Sequence, residues 1–162
     1  MKRLILIRHS KSSWKDVSLT DFNRPLNGRG KFDGPLMADY LKSKINKIDY
    51  LHSSSSVRTF ETSKYFIQQI QFEKVEYDDS LYHCSATSIL NMIKSYSDNY
   101  QSVMIIAHNP GLTNLINRIT NISLDNLPTT GLAEIEFNIN SWSNISYENS
   151  NLVDLKFPKQ LK

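Results

Sequence analysis

The chain is short of cysteine. Cys84 is the only one among 162 residues, which forbids an internal disulfide and, with no second thiol to share a metal, argues against a structural zinc site. That usage fits a reducing compartment, and Cys84, with no activating base beside it in sequence, reads as a small buried hydrophobe. Long apolar runs are absent too. After Met1-Lys2-Arg3 only four apolar residues precede Arg8, too few for the apolar centre of a secretory signal, and nothing approaches membrane-spanning length, so a cytoplasmic protein with no membrane partner is expected. With five glycines and five prolines, no linker rich in either divides the chain, and no repeat period is visible. Gly28, Gly30 and Gly34 lack the spacing of a nucleotide cradle and follow no strand, so they read as turn or helix-entry residues. The formal net charge is +3 and the sequence pI ≈ 8.9, but the 19 Lys and Arg are scattered, which is no footprint for nucleic acid and suits an enzyme that attracts anions.

What the chain does contain is 40% hydrophobic residues, enough for one domain over residues 1–162 that buries roughly two thirds of its extended-chain surface. The apolar pattern alternates. Leu4-Ile5-Leu6-Ile7 reads as a buried strand, and residues 30–46 carry Phe32, Leu36, Met37, Tyr40, Leu41 and Ile45 as a helical stripe, although Pro35 suits a first turn and allows a start near Phe32. Residues 49–53 form a second strand, 57–70 a helix with polar interruptions on its face, and 74–77 a third strand. Residues 86–96 space Ile89, Leu90, Ile93 and Tyr96 helically, 103–107 make a fourth strand and 111–119 a fourth helix. This alternation specifies parallel βαβ units with helices on both faces of a mostly parallel sheet, a single three-layer α/β/α domain. Beyond Pro128-Thr129-Thr130-Gly131, residues 132–137 and 152–157 alternate with period two and read as half-exposed strands at a sheet edge, leaving the C-terminal third less helical.

Two of the buried strands end in histidine. Arg8-His9 follows the first apolar run, and His108-Asn109-Pro110-Gly111 follows Val103-Met104-Ile105-Ile106-Ala107. In an open α/β sheet the ligand crevice lies beyond the carboxyl ends of the strands, so both imidazoles are expected at one crevice. The arginine beside one of them implies an anionic substrate, most simply phosphate. A lone histidine at a strand end is more often structural than catalytic, so the weight comes from the residues around it.

Four segments supply that weight. Arg8-His9-Ser10-Lys11-Ser12-Ser13-Trp14 resembles a variant of the Arg-His-Gly signature of the histidine phosphatase superfamily, relatives of the cofactor-dependent phosphoglycerate mutases. Arg24-Pro25-Leu26-Asn27-Gly28-Arg29-Gly30 resembles the loop that opens the first helix of that family. Ser53-Ser54-Ser55-Ser56-Val57-Arg58-Thr59-Phe60-Glu61-Thr62 resembles its Ser-Ser-x-x-x-Arg-x-x-x-Thr segment, and Ile106-Ala107-His108-Asn109-Pro110 its second histidine motif. The resemblance covers about residues 3–138. The short length, the Arg-Pro-Leu loop and the Pro-Thr-Thr-Gly segment make the chain most similar to the small SixA-type phosphohistidine phosphatases. It implies a phosphoglycerate mutase-like fold and a phosphatase that works through a covalent phosphohistidine.

Residue chemistry agrees with that implication. A neutral imidazole is a good nucleophile at phosphorus, and forming a phosphohistidine splits one displacement into two, a role for His9. The transferring phosphoryl group spreads negative charge over its oxygens, which Arg8 and Arg58 meet with guanidinium groups that have no proton to lose. Arg58 falls early in a helix, whose free N–H groups add to the positive field. His108 would donate to a phosphoryl oxygen and could be protonated once phosphate is bound. Ser12, Asn109 and Arg24 are further candidate substrate contacts, with Arg24 weighted toward holding its loop. No metal and no cofactor are expected, since the arginines and His108 could supply the charge that magnesium gives other phosphoryl-transfer enzymes, and a phosphate or sulfate should occupy the site.

The leaving-group acid stays open. The mutase branch uses a glutamate after its third strand, whereas Tyr77-Asp78-Asp79-Ser80-Leu81-Tyr82-His83 contains none, leaving Asp79, His83 and, in the loop before Arg24, Asp21. A phosphorylated imidazole can leave as a neutral ring once its distal nitrogen is protonated, so the missing glutamate leans toward phosphoramidates. A compact chain also leaves the crevice open to a phosphohistidine-bearing protein, as in signal transduction. The alternatives are a small phosphomonoester such as a sugar phosphate or nucleotide, and a non-catalytic phosphate-binding module that has lost turnover because no acid is placed. His52, inside the second strand, reads as packed or paired, Trp14 and Trp142 as packing more often than as site-lining residues, and Asp78-Asp79 as a solvated turn.

Overall fold

Alternation along the first strand sets the layers. In β1 (Lys2–Arg8) Leu4 and Leu6 enter one apolar core while Ile5 and Ile7 enter another, and β4 (Ser102–Ala107) divides in the same way, Val103 and Ile105 against Met104 and Ile106. Strands apolar on both sides are stable only when both faces are covered. In this computed structural model, which describes all residues Met1–Lys162, α1 (Gly28–Lys42) and α2 (Val57–Gln69) cover the Ile5 side with Met37, Ala38, Leu41 and Phe66. The Leu4 side is covered by α3 (Ala86–Lys94) and α4 (Gly111–Ile119) through Ile89, Ile93, Leu112, Leu115 and Ile116.

With β2 (Lys47–Ser54), β3 (Gln71–Asp78), β5 (Leu132–Phe137) and β6 (Ser150–Lys156), the six strands pair in the order β3-β2-β4-β1-β5-β6. The first four strands are parallel, β5 runs antiparallel to β1, and β6 runs antiparallel to β5. The connections through α1 and α2 step toward the β3 edge and that through α3 steps back, so right-handed crossovers place them on opposite faces. The three-layer α/β/α arrangement specified by the alternation is present. No helix is long and apolar enough to cross a membrane.

Several boundaries and one placement differ from the sequence reading. α1 begins at Gly28, ahead of its apolar stripe, because Asn27 Oδ1 accepts the Gly30 N–H and the Asn27 carbonyl accepts the Lys31 N–H, closing a capped first turn. Pro35 therefore lies inside the helix, not in its opening turn. A Cβ on Gly30 would stand 2.2 Å from the Lys11 carbonyl oxygen, so glycine lets that turn press against the loop after β1. β3 is longer than its apolar residues suggest, since backbone pairing with β2 runs from Lys47↔Gln71 to Ser54↔Asp78. The larger correction concerns β5, which is not an edge strand but lies between β1 and β6, nearly all of it buried. Its alternating Glu134 is buried with Arg3 and Lys44 as partners, so the period-two polarity that suggested solvent reports an internal ion pair. Past Ile119 only short 3-10 turns add helix, as the sequence implied.

Candidate active site

Strand register builds the site. Parallel pairing sets Arg8 opposite Ala107, so the next residues, His9 and His108, leave the sheet side by side with ring centroids 5.2 Å apart. On the other flank of β4, Ser53 of β2 pairs with Ile106, and the chain turns at once into α2, where the Ser56 side chain accepts the Thr59 N–H as an N-cap. Arg58, the second residue of α2, thereby reaches His108, its Nη2 lying 3.4 Å from Nδ1. These residues line a cavity of ≈ 230 Å³ shared with Arg8, Ser12, Asp21, Arg24, His83 and Asn109. Lys11, Trp14 and Thr129 line it as well.

The hydrogen bonds of His9 fix its tautomer. Nδ1 lies 2.8 Å from the Ser10 carbonyl, which can only accept, so Nδ1 carries the proton and Nε2 keeps a free lone pair. Burial first, and then the charges of Arg58, Arg8 and Arg24, hold its pKa down to about 3 against the raising effect of the Ser10 carbonyl. The ring is therefore neutral near pH 7. His108 is neutral as well: burial, followed by His9 and Arg58, pushes it down to about 2. Its Nε2 meets Ser54 Oγ at 2.8 Å while Nδ1 faces the Arg58 guanidinium.

The two guanidinium groups are anchored but not saturated. Arg8 Nη1 donates to the Leu127 carbonyl at 2.9 Å, and Arg58 donates through Nη1 to the Asp21 carbonyl at 2.6 Å and through Nη2 to Asp21 Oδ2 at 2.9 Å. Both Nε groups are buried without an acceptor. Unpaired donors of this kind on residues lining a cavity suit an incoming anionic oxygen.

The three candidate proton donors fare differently. Asp79 accepts from Ser55 Oγ in the 3-10 turn after β3 and does not line the cavity. Asp21 does line it, and burial alone would raise its carboxyl, but hydrogen bonds from Tyr82, Arg24 and Arg58 outweigh that and hold it far below the usual carboxylate range. An ionised Asp21 has no proton to give. His83 stands at the cavity with its side chain half exposed, Nε2 3.3 Å from Asp21 Oδ2 and 3.4 Å from Arg58 Nη2, and its ring stacks on Tyr82 at 4.1 Å.

Arg24 both lines the cavity and holds its loop, donating to Ser12 Oγ at 2.7 Å and to Asp21 Oδ1 at 2.9 Å. The side-chain amide of Asn109 is committed to structure: Nδ2 donates to the Leu127 carbonyl at 3.0 Å and Oδ1 accepts from Thr113 Oγ1 at 2.8 Å. Trp14 takes the site-lining role and not the commoner packing one: its exposed ring lies 3.6 Å from the Arg24 guanidinium at the cavity. Trp142 is packed as expected, wholly buried with Nε1 donating to the Tyr100 carbonyl. Lys11 and Thr129 were within segments already singled out, Arg8–Trp14 and Pro128-Thr129-Thr130-Gly131, whereas nothing in sequence joined Tyr82 to Asp21 across 61 residues. Cys84 is only partly buried, against the Leu4-side core. The cluster with metal-ligating reach is His52, Glu76 and Asp78, outside this cavity. There His52 is paired as the sequence suggested, Nε2 with Asp78 Oδ2 at 2.8 Å and Nδ1 with the Tyr96 hydroxyl at 2.7 Å.

No family model matches the chain. It is 32% identical over 151 residues to a chloroplastic protein of uncharacterised activity from Arabidopsis thaliana, covering 87% of this chain and 69% of that one. A 2,3-bisphosphoglycerate-dependent phosphoglycerate mutase from Pelagibacter ubique is 35% identical over 85 residues, 47% of this chain and 32% of the mutase. Among solved structures, a protein from Agrobacterium tumefaciens proposed to be a phosphohistidine phosphatase SixA is similar with a TM-score of 0.80 at 25% identity, covering 97% of this chain and 98% of that chain. The protein histidine phosphatase SixA complexed with tungstate shares the fold with a TM-score of 0.81 at 19% identity, covering 99% of each chain.

Proposed function

This chain belongs to the histidine phosphatase superfamily, and from that premise we propose that it removes phosphate from phosphohistidine on a protein through a covalent phospho-His9 intermediate. The observation that carries the reading is the state of His9: neutral, with its proton on Nδ1 and its Nε2 lone pair free, among the cations of one cavity. In the first step Nε2 attacks phosphorus and the bond from phosphorus to the substrate nitrogen breaks. The substrate ring, protonated on its distal nitrogen, takes the electron pair and leaves as neutral imidazole. His9 then holds the phosphoryl group on Nε2 and a proton on Nδ1, a cation that the Ser10 carbonyl stabilises. Water attacks phosphorus in the second step, the Nε2–phosphorus bond returns its pair to His9, and the proton lost by water goes to phosphate or solvent.

Arg8 and Arg58 hold the phosphoryl oxygens, and His108 joins them by taking a proton on Nδ1 when the anion arrives. Exchange between two imidazoles needs no carboxylic acid, which agrees with an Asp21 held ionised. Charge from these residues alone would let turnover persist in EDTA.

Trapping in alkaline denaturant with a labelled phosphoramidate tests the intermediate. Wild type should yield an acid-labile adduct and His9→Ala none; equal adduct in both removes His9 from its role. A second reading, a small-molecule phosphomonoesterase, is favoured by one observation, the half-exposed His83 beside Asp21 and Arg58, where an imidazolium would protonate an alkoxide. Parallel rates on a phosphohistidine peptide and on glycerol phosphate separate the two. A faster monoester rate that His83→Gln abolishes would favour the second.

A further inference from the structure

A larger depression of ≈ 610 Å³ opens beside the catalytic cavity. Lys11, Trp14 and Lys15 from the loop after β1 form one wall, and Leu26, Gly28 and Lys31 at the start of α1 form the other. Lys11, Ser12 and Trp14 line both spaces, so the groove adjoins the cavity that holds His9.

Its charge is unbalanced. No carboxylate lines the groove, and Lys11, Lys15 and Lys31 enter no salt bridge. Three like charges around one groove raise the local positive potential and favour an arriving anion. The groove also offers apolar surface, since Trp14 is 69% exposed. A small anion has no use for such surface, while a polypeptide covers it.

We propose that this groove is a docking subsite for acidic residues flanking the phosphohistidine of a substrate protein, with the lysines pairing their carboxylates and Trp14 packing on the peptide. The inference rests on the phosphohistidine reading given above. Its position fits, because a chain whose phosphoryl group sits at His9 can extend past Ser12 and Trp14 without leaving the protein surface.

The test uses a double variant, Lys15→Glu with Lys31→Glu, at two residues outside the catalytic cavity. Phosphohistidine peptides with acidic or with glutamine flanks are compared, together with phosphoramidate. Wild type should favour the acidic peptide by about tenfold in kcat/KM at low ionic strength and lose the preference in high salt. The variant should lose the preference while hydrolysing phosphoramidate at the wild-type rate. A preference that survives in the variant, none in wild type, or an equal loss on phosphoramidate each overturns the proposal. Fluorescence anisotropy of a labelled acidic peptide lacking phosphate reads the groove without turnover. Failure of wild type to hydrolyse any phosphoramidate would bring down the phosphatase reading, and the anisotropy would still decide on the groove.

Discussion

His9 and His108 are both neutral in the free protein for the same physical reason: burial, reinforced by neighbouring cationic charge, disfavours a second proton. An NMR titration of the His9 ring should therefore show no midpoint near the ordinary value of about 6.5. Adding phosphate or vanadate supplies the missing negative charge and should move midpoints of this histidine pair up toward neutrality. A His9 transition near the ordinary value without ligand contradicts the assignment. Linkage gives the matching stability effect. A base whose folded pKa is depressed stabilises the fold above its unfolded pKa, so stability should decline as pH falls from about 6.5 toward about 3, where the unfolded chain binds the protons that the buried rings refuse. Much of this site was legible in the sequence, because Arg8-His9, Arg58 and His108 lie at strand and helix ends that strand register brings together. Asp21 is one of three candidate proton donors in the sequence, yet its ionised state was not legible, because it depends on Tyr82, Arg24 and Arg58 meeting at one carboxylate.

Helices and strands were read where one apolar period dominates and misread where tertiary partners decide. β5 shows why: Glu134 breaks its apolar run as a solvent-facing residue would, yet it is buried by cations from β1 and from the turn after α1. At α1 the cap on Asn27, and not the apolar stripe, decides the start. The contact of α1 with α2 depends on a small residue in the same way. A Cβ on Gly34 would lie 2.3 Å from Tyr65 Cδ2, whereas one on Gly28 would meet nothing within 4 Å. Gly34→Ala should therefore destabilise by about 1–3 kcal/mol by overpacking. Gly28→Ala should stay within about 0.5 kcal/mol of wild type. Thermal denaturation of the two variants, with Gly34→Ala/Tyr65→Leu as the rescue, checks the idea. Equal melting temperatures for both alanine variants would sink it.

Across the whole molecule, the parallel half that carries the catalytic cavity is fastened to its antiparallel extension by charge as well as by backbone pairing. Lys44, just past α1, holds Glu134 of β5 at 2.8 Å and Asp154 of β6 at 2.9 Å, Arg3 of β1 approaches Glu134 at 3.3 Å, and Tyr40 of α1 donates to Asp154 at 2.6 Å. Nothing in the sequence joins residues 3, 40, 44, 134 and 154, so this fastening was invisible until the sheet order was known. Removing only the cation leaves a buried carboxylate short of a partner. Lys44→Met should therefore cost about 2–3 kcal/mol in urea denaturation, less than for a fully buried pair because part of Lys44 meets water. Replacing both members, Lys44→Met with Glu134→Met, removes one of the two carboxylates that Lys44 holds and leaves Asp154 with Tyr40 as its partner, so it should recover part of that loss, a coupling that additive effects cannot produce. None of these residues lines the catalytic cavity, so phosphoramidate turnover well below the melting temperature should be unchanged in both variants. A double variant less stable than the single one would show that the network acts through packing of the side chains and not through their charge.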